Sequence, residues 1–429
     1  MLQQFSAFGI RWVFGVRMVA LAIGLAAAVG TATASDWPRF RGPNGTGVSS
    51  DAGVPLELGD SHNLLWKVEI PGKGHSSPIV SKQRIFLQTA SNDGNARSLL
   101  CLDLVEGKPL WSQPAPGTVA KKHPKNSLAS CSAAADGKAV YMPFWDGTRL
   151  SISAYDYDGK PLWNRDLGIF TSQHGPGHSP VVVKDRVILA NDQDGSSELV
   201  ALKAATGEIA WRIPRPAHRC CYSTPFLLER PKVGPELVVA STFGFTGYDP
   251  ADGSQRWSWQ WETNTRQLRT VASPIVSQGF AFLTGGDGSG DRHAVGVNLH
   301  IDGDRISPQL EWENRKILPY VPCMLSRGEH LYFVNDFGFA CCYVAKTGAE
   351  VWKTRLEGGE VSASPVMVDG RIYTFMEGGV AHVFAAEPKF NELATADLGE
   401  GIAASPAIAD GRLLVRGEEH LFCFGTPGE

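Results

Sequence analysis

The chain has 429 residues, 43% hydrophobic and 20% charged, which is ordinary for a folded globular protein and excludes a disordered one. Its 40 basic residues are outnumbered by 44 acidic ones, for a formal net charge of −4, so there is no basic field with which to hold nucleic acid.

The first predicted element is a signal peptide over residues 1–34. Arg11 and Arg17 are the only charges before Asp36, an apolar stretch runs from Met18 to Val29, and Ala32-Thr33-Ala34 offers the small-x-small pattern of a cleavage site. About a dozen apolar residues are too few to span a bilayer, which needs ~20. Cleavage leaves a periplasmic or extracellular chain with no transmembrane segment. Residues 35–62 follow as a Pro/Gly-rich tail, Asp36-Trp37-Pro38-Arg39-Phe40-Arg41-Gly42-Pro43-Asn44-Gly45 at its start, expected to lie ordered against the domain behind it.

Residues 63–425 are one repeat. Trp66, Trp111, Trp163, Trp211, Trp257, Trp312 and Trp352 each close a copy of the same phrase, at intervals of roughly 40 to 55 residues. In the best copy the phrase runs Ser77-Pro78-Ile79-Val80, Arg84-Ile85-Phe86-Leu87, Leu99-Leu100-Cys101-Leu102-Asp103 and Trp111, four β-prone runs separated by turn residues. The Ser/Thr-Pro pair returns at Ser179, Thr224, Ser273, Ser364 and Ser405, while copies two and six are recognised by the turns at Asp136-Gly137 and Arg327-Gly328. Ala394 stands where an eighth tryptophan would be. Four strands in about 45 residues make a propeller blade, which buries both faces only when neighbours stack around a ring. The expected fold class is all-β, an eight-bladed β-propeller of four-stranded blades. A lone strand around Trp66 and a last copy of only three strands predict closure by pairing of the N-terminal strand with the last blade, which removes the open sheet edge.

Of the eight cysteines, Cys101, Cys342 and Cys423 share one strand position in separate blades and are expected to be small buried hydrophobes. Adjacent Cys220 and Cys221 are the pair that could close a vicinal disulfide.

The end of each copy resembles the tryptophan-docking motif of the pyrroloquinoline quinone (PQQ) type propeller repeat, Ala-x-Asp-x-x-Thr-Gly-Lys-x-x-Trp. Cys101-Leu102-Asp103 with Gly107-Lys108 and Trp111, and Ala201-Leu202 with Thr206-Gly207 and Trp211, carry it best. The resemblance implies that the seven tryptophans dock blade on blade. Two branches share the fold: quinoprotein dehydrogenases, which use PQQ and Ca²⁺ on the channel axis with an aspartate base, and non-catalytic propellers such as the outer-membrane assembly factor BamB. The tail resembles the start of exported members of the second branch.

The loops that lead into the innermost strands carry more Lys and Arg than Asp and Glu, against the sign of the whole chain. Lys73, His75, His178, Arg219, Arg266 and Arg269 are therefore the candidate ligand residues at the channel mouth, suited to an anionic small molecule or an acidic peptide. Asp287 and Asp291, in a glycine-rich hairpin, are the candidate oxygen ligands for Ca²⁺. No convergent aspartate, glutamate and asparagine set can be assembled, so the sequence points to an exported, non-catalytic binding or scaffold module. A PQQ- and Ca²⁺-dependent oxidoreductase is the alternative.

Overall fold

Every copy of the repeat folds as a four-stranded antiparallel sheet in the computed structural model, which describes residues 36–59 and 62–426. The predicted signal peptide lies outside the described residues. Blade 1 consists of Ile79–Ser81, Arg84–Ala90, Ala96–Asp103 and Pro109–Pro116, running outward from the axis. Blades 2 to 7 span 134–169, 181–214, 226–260, 275–314, 325–355 and 366–397. Blade 8 takes Ala407–Ala409, Arg412–Arg416 and His420–Phe424 from the C-terminal end and Leu64–Glu69 from the N-terminal side. That last pairing aligns Trp66 with Cys423 and Glu69 with His420, so the ring closes as the orphan strand predicts.

The core lies in the seams between blades. Leu150 and Ile152 of blade 2 pack on Val187 and Leu189 of blade 3, and Ile188 and Leu199 of blade 3 pack on Leu237 and Val239 of blade 4. Inner strands have a neighbour on both faces, so Ala139–Trp145 is buried end to end. The outermost strand has only one, and Pro109–Pro116 alternates half-buried with exposed residues.

The docking tryptophans reach across those seams. Trp111 Nε1 donates to Tyr157 O at 2.9 Å, Trp163 to Ala204 O at 2.9 Å and Trp312 to Ala345 O at 2.8 Å, each acceptor lying in the third-to-fourth strand turn of the next blade. Trp257 bonds instead to Glu236 of its own blade. Its neighbour carries an extra hairpin, Ile301–Asp302 with Arg305–Ile306, where the tight turn would be.

All eight cysteines are free and buried. The vicinal bridge considered from the sequence is not formed: Cys220 Sγ points to Asp192 O at 3.2 Å and Cys221 Sγ to Arg219 O at 3.4 Å. Cys101, Cys342 and Cys423 sit directly opposite Trp111, Trp352 and Trp66 in the adjacent strand, where a small side chain leaves room for the indole.

The tail does more than lie against the ring. Trp37 forms an antiparallel bridge to Val80 of blade 1, Ala135 N of blade 2 donates to Pro38 O, and Arg39 reaches Pro225 O of blade 4 at 3.1 Å. Arg41 donates to Met324 O at 2.7 Å and to Pro365 O at 3.1 Å, just before the innermost strands of blades 6 and 7. Val48 adds a parallel bridge to Met367. Burial pushes Arg39 down to about 10 and lowers Arg41 too, and the carbonyls around both compensate for the water they have lost.

Candidate functional site: a central cup

A cavity of about 580 Å³ occupies the channel between the tail and the loops that lead into the innermost strands. Its chemistry begins with the Ser/Thr-Pro repeat. Ser77, Ser132, Ser179, Thr224, Cys323, Ser364 and Ser405 all line it, each at the start of its own blade. Backbone N–H groups donate to the side chain of the next blade: Ser77 to Ser132, Ser132 to Ser179, Thr224 to Ser273, Ser273 to Cys323, Cys323 to Ser364, Ser364 to Ser405 and Ser405 to Ser77, all at 2.9–3.1 Å. These bonds satisfy backbone donors that the short innermost strands cannot pair, and they tie the blades into a belt around the axis. Phe40 of the tail lines the cavity as well, so the tail floors the channel and turns it into a cup.

The rim is built by long loops. Residues 117–131 lean over the cavity and are held by Asn126, whose amide donates to His174 O and Pro176 O, both at 2.8 Å. The His123 and His174 rings lie 5.1 Å apart. From the same loop Lys125 spans to Glu360 and Glu377, the latter at 3.0 Å. Arg292 lies between the Tyr320 and Phe337 rings, 5.0 and 5.5 Å from their centroids, and donates to Asp287 O and Asp291 O. Burial, with help from Arg416, pushes His75 down to about 4, and burial with Arg269 does the same to His174. His123 is lowered by burial and by Lys125, so all three imidazoles are neutral at neutral pH.

The six residues selected from the sequence have different fates. His75 and Arg269 line the cup. Lys73 pairs through its backbone with Ala90 and leaves its side chain in solvent. His178 is buried behind the wall with Nε2 at 2.9 Å from Asp192 O. Arg219 donates to Gln267 O at 3.3 Å, outside the lining. Arg266 is mostly exposed and spans Asp287 and Asp291. His123, His174, Lys125, Tyr222, Arg292, Tyr320 and Asp336 complete the wall, together with the serine belt. The belt had a signal in the sequence: a small polar residue holds the position before the innermost strand even in the two copies that lost the proline, as Ser132 and Cys323.

The donor set does not fit a quinone with calcium. Asp287 turns one oxygen to Ser289 and Asp291 N–H groups and the other to Arg266. Asp336 accepts from Tyr320 N and Val321 N, and burial holds its carboxyl above the usual range. Glu360 is taken by Lys125, and among the described residues no tryptophan lines the cavity to support a flat ring. Among the described residues the one convergent set of metal-type donors is Glu400, Glu419 and His420, outside the cup.

A family model described as outer membrane protein assembly factor BamB matches residues 48–165, 148–306 and 302–392. The chain belongs to this family. No curated protein sequence matches it. Among solved structures, BamB from Moraxella catarrhalis is 12% identical over 85% of this chain and 98% of its own, with a TM-score of 0.61. A europium-containing methanol dehydrogenase is 13% identical over 91% and 98%, at 0.65, and the computationally designed Ika8 protein is 13% identical over 85% and 99%, at 0.60. Likeness at this level is likeness of fold, and an assembly factor, a dehydrogenase and a designed protein share it equally. Among the described residues no helix is long and apolar enough to cross a membrane.

Proposed function

We propose that the protein is an exported, non-catalytic propeller that works as a binding module, receiving its ligand or partner in the central cup. One observation carries this: the cup is a concave, preformed site of ligand size whose carboxylates are each already engaged by a cation or by backbone N–H groups. Groups so engaged hold loops in place and are not free to take a proton from a substrate. Membership of the BamB family favours the same reading, as does the pattern of the first 34 residues for export.

Two measurements test it. Protein incubated with PQQ and Ca²⁺ and then desalted should retain no quinone absorption and oxidise no alcohol with an artificial acceptor; retained cofactor with turnover would return the oxidoreductase. A fragment screen by ligand-observed NMR should give hits that disappear in Ser289→Trp, which fills the exposed rim of the cup. Hits indifferent to that substitution would place binding elsewhere.

A further inference from the structure

Among the described residues seven arginines are no more than 6% exposed, and six of them donate side-chain hydrogen bonds. Arg39, Arg41, Arg97 and Arg416 donate to backbone carbonyls, Arg215 to Asp192, and Arg230 to Glu236 and Gly303 O. Arg269 is the seventh. It is 5% exposed and lines the cup, yet among the described residues its guanidinium donates no hydrogen bond. Its ionic neighbour is Asp194 at 3.5 Å, whose oxygens are aimed at Cys220 N and Gln173 N. The backbone of Arg269 is fixed by reciprocal bonds to Gly286, at 3.1 and 3.0 Å, so the side chain is presented from a rigid edge. A buried guanidinium with idle donors costs stability; Arg39, Arg97, Arg215 and Arg230 each leave one nitrogen unpaired but bond through another, whereas Arg269 bonds through none, at a place where a ligand restores what is lost.

We propose that Arg269 is the anchor for a carboxylate carried by the ligand of the cup. The inference rests on the binding-module reading above and deepens it. The planar fork of a guanidinium matches a carboxylate through two parallel N–H···O bonds. Local charge selects a monoanion over a phosphate dianion: Arg269 and Arg219 face Asp194, His123 and His174 are neutral, and Lys125 is held by Glu360 and Glu377. Around Arg269 itself, the two arginines and Asp194 leave one positive charge. Tyr222, Tyr320, Phe337 and Phe40 give the rest of the ligand an apolar and aromatic wall. A small aryl or alkyl acid and the free C-terminus of a peptide both meet this description.

The test is calorimetry at low ionic strength with 3-phenylpropionate, its amide, phenyl phosphate, and a Gly-Gly-Phe tripeptide as free acid and as amide. At least one acid should bind, roughly 10- to 100-fold more tightly than its amide and more tightly than the phosphate. Arg269→Gln should erase that preference and Arg269→Lys should restore only part of it. Preference for the aryl acid or for the tripeptide tells the two sources apart. Acid and amide binding equally would overturn the anchor while leaving the cup as the binding site, and no binding of any acid would overturn the anchor outright. Arg269→Met supplies a ligand-free readout. An idle buried cation is a burden, so the variant should melt at or above the parent temperature. A lower melting temperature would make Arg269 a structural partner of Asp194 and end the proposal.

Discussion

The tightest constraint on individual residues lies where a docking tryptophan meets the next blade. Gly207 turns at a φ of 68° against the Trp163 ring, and a β-carbon placed there would lie 2.5 Å from the indole. Gly107 stands in the same way against Trp66, and Gly348 against Trp312. The Gly in the motif is therefore required twice, by the left-handed backbone and by the face of the ring. Gly207→Ala should destabilise the protein by about 2–4 kcal/mol in urea denaturation, combining backbone strain with overpacking. Gly195, with an ordinary φ and nothing within reach of its β-carbon, is the control, and Gly195→Ala should stay within about 0.5 kcal/mol. Equal losses would remove the seam from the account of stability.

At the scale of the strand, the blades differ in ways that compensate. In seven of them the residue opposite the tryptophan is small, as with Ala154 opposite Trp163 and Gly296 opposite Trp312. Blade 7 reverses the pair, with Val383 opposite Ala394. The neighbour of blade 7 is the closing blade, whose third and fourth strands come from the two ends of the domain and are joined by no turn, so a tryptophan there would have no glycine to rest on. The belt is the second device of this scale. Ser405 accepts from Ser364 N and donates through its own N–H to Ser77 Oγ. Ser405→Ala strands a buried N–H and should cost about 1–3 kcal/mol, whereas Ser405→Cys should retain most of the stability, because Cys323 already serves as an acceptor in the same belt. Thermal melting of the two variants decides it, and identical values would mean that the belt contributes nothing.

For the whole molecule, the tail is what makes the channel a cup. Arg41→Ala removes the donors to Thr46 O, Met324 O and Pro365 O at once, and it should cost about 2–4 kcal/mol and expose the floor to hydrogen exchange. A variant with parental melting and exchange would refute the plug. Acid should act on the molecule as a whole. His178 is 2% exposed and burial pushes it down to about 4, below its ordinary 6.5, as happens also to His75 and the more exposed His174. A folded value below the unfolded one means stability that is complete above the unfolded value and is lost as pH falls towards the folded one. For His178 alone the loss at pH 5 is about 2 kcal/mol. Asp192, pushed up to about 6 by burial, and Asp336, also raised by burial, act with the opposite sign and gain stability as pH falls, two carboxyls against the lowered imidazoles of His75, His123, His174, His178 and His293. The melting temperature should therefore drop between about pH 7.5 and about pH 5, and His178→Gln should flatten the curve. A flat parental profile would contradict the burial of these imidazoles.

Blade number, strand order and ring closure were legible in the chain because they are periodic. Trp66 to Trp352 repeat a spacing, and the orphan strand at one end matches the three-stranded copy at the other. Periodicity survives decay in single copies, so the loss at Ala394 and the missing prolines at copies two and six did not hide it. What lines the cup was decided only in three dimensions. Loops have no period from which side-chain direction follows, and thus Arg269 turns inward while Arg266, three residues earlier, turns out to Asp287 and Asp291. The tail was equally opaque, because the partners of Arg39 and Arg41 are backbone carbonyls of Pro225, Met324 and Pro365, and a carbonyl carries no residue-specific signature. The sequence by itself determined the ring, since burying both faces of a repeated sheet admits one arrangement. The tertiary structure decided the site, since only the closed ring brings eight blade starts, a tail and one idle guanidinium to a common axis.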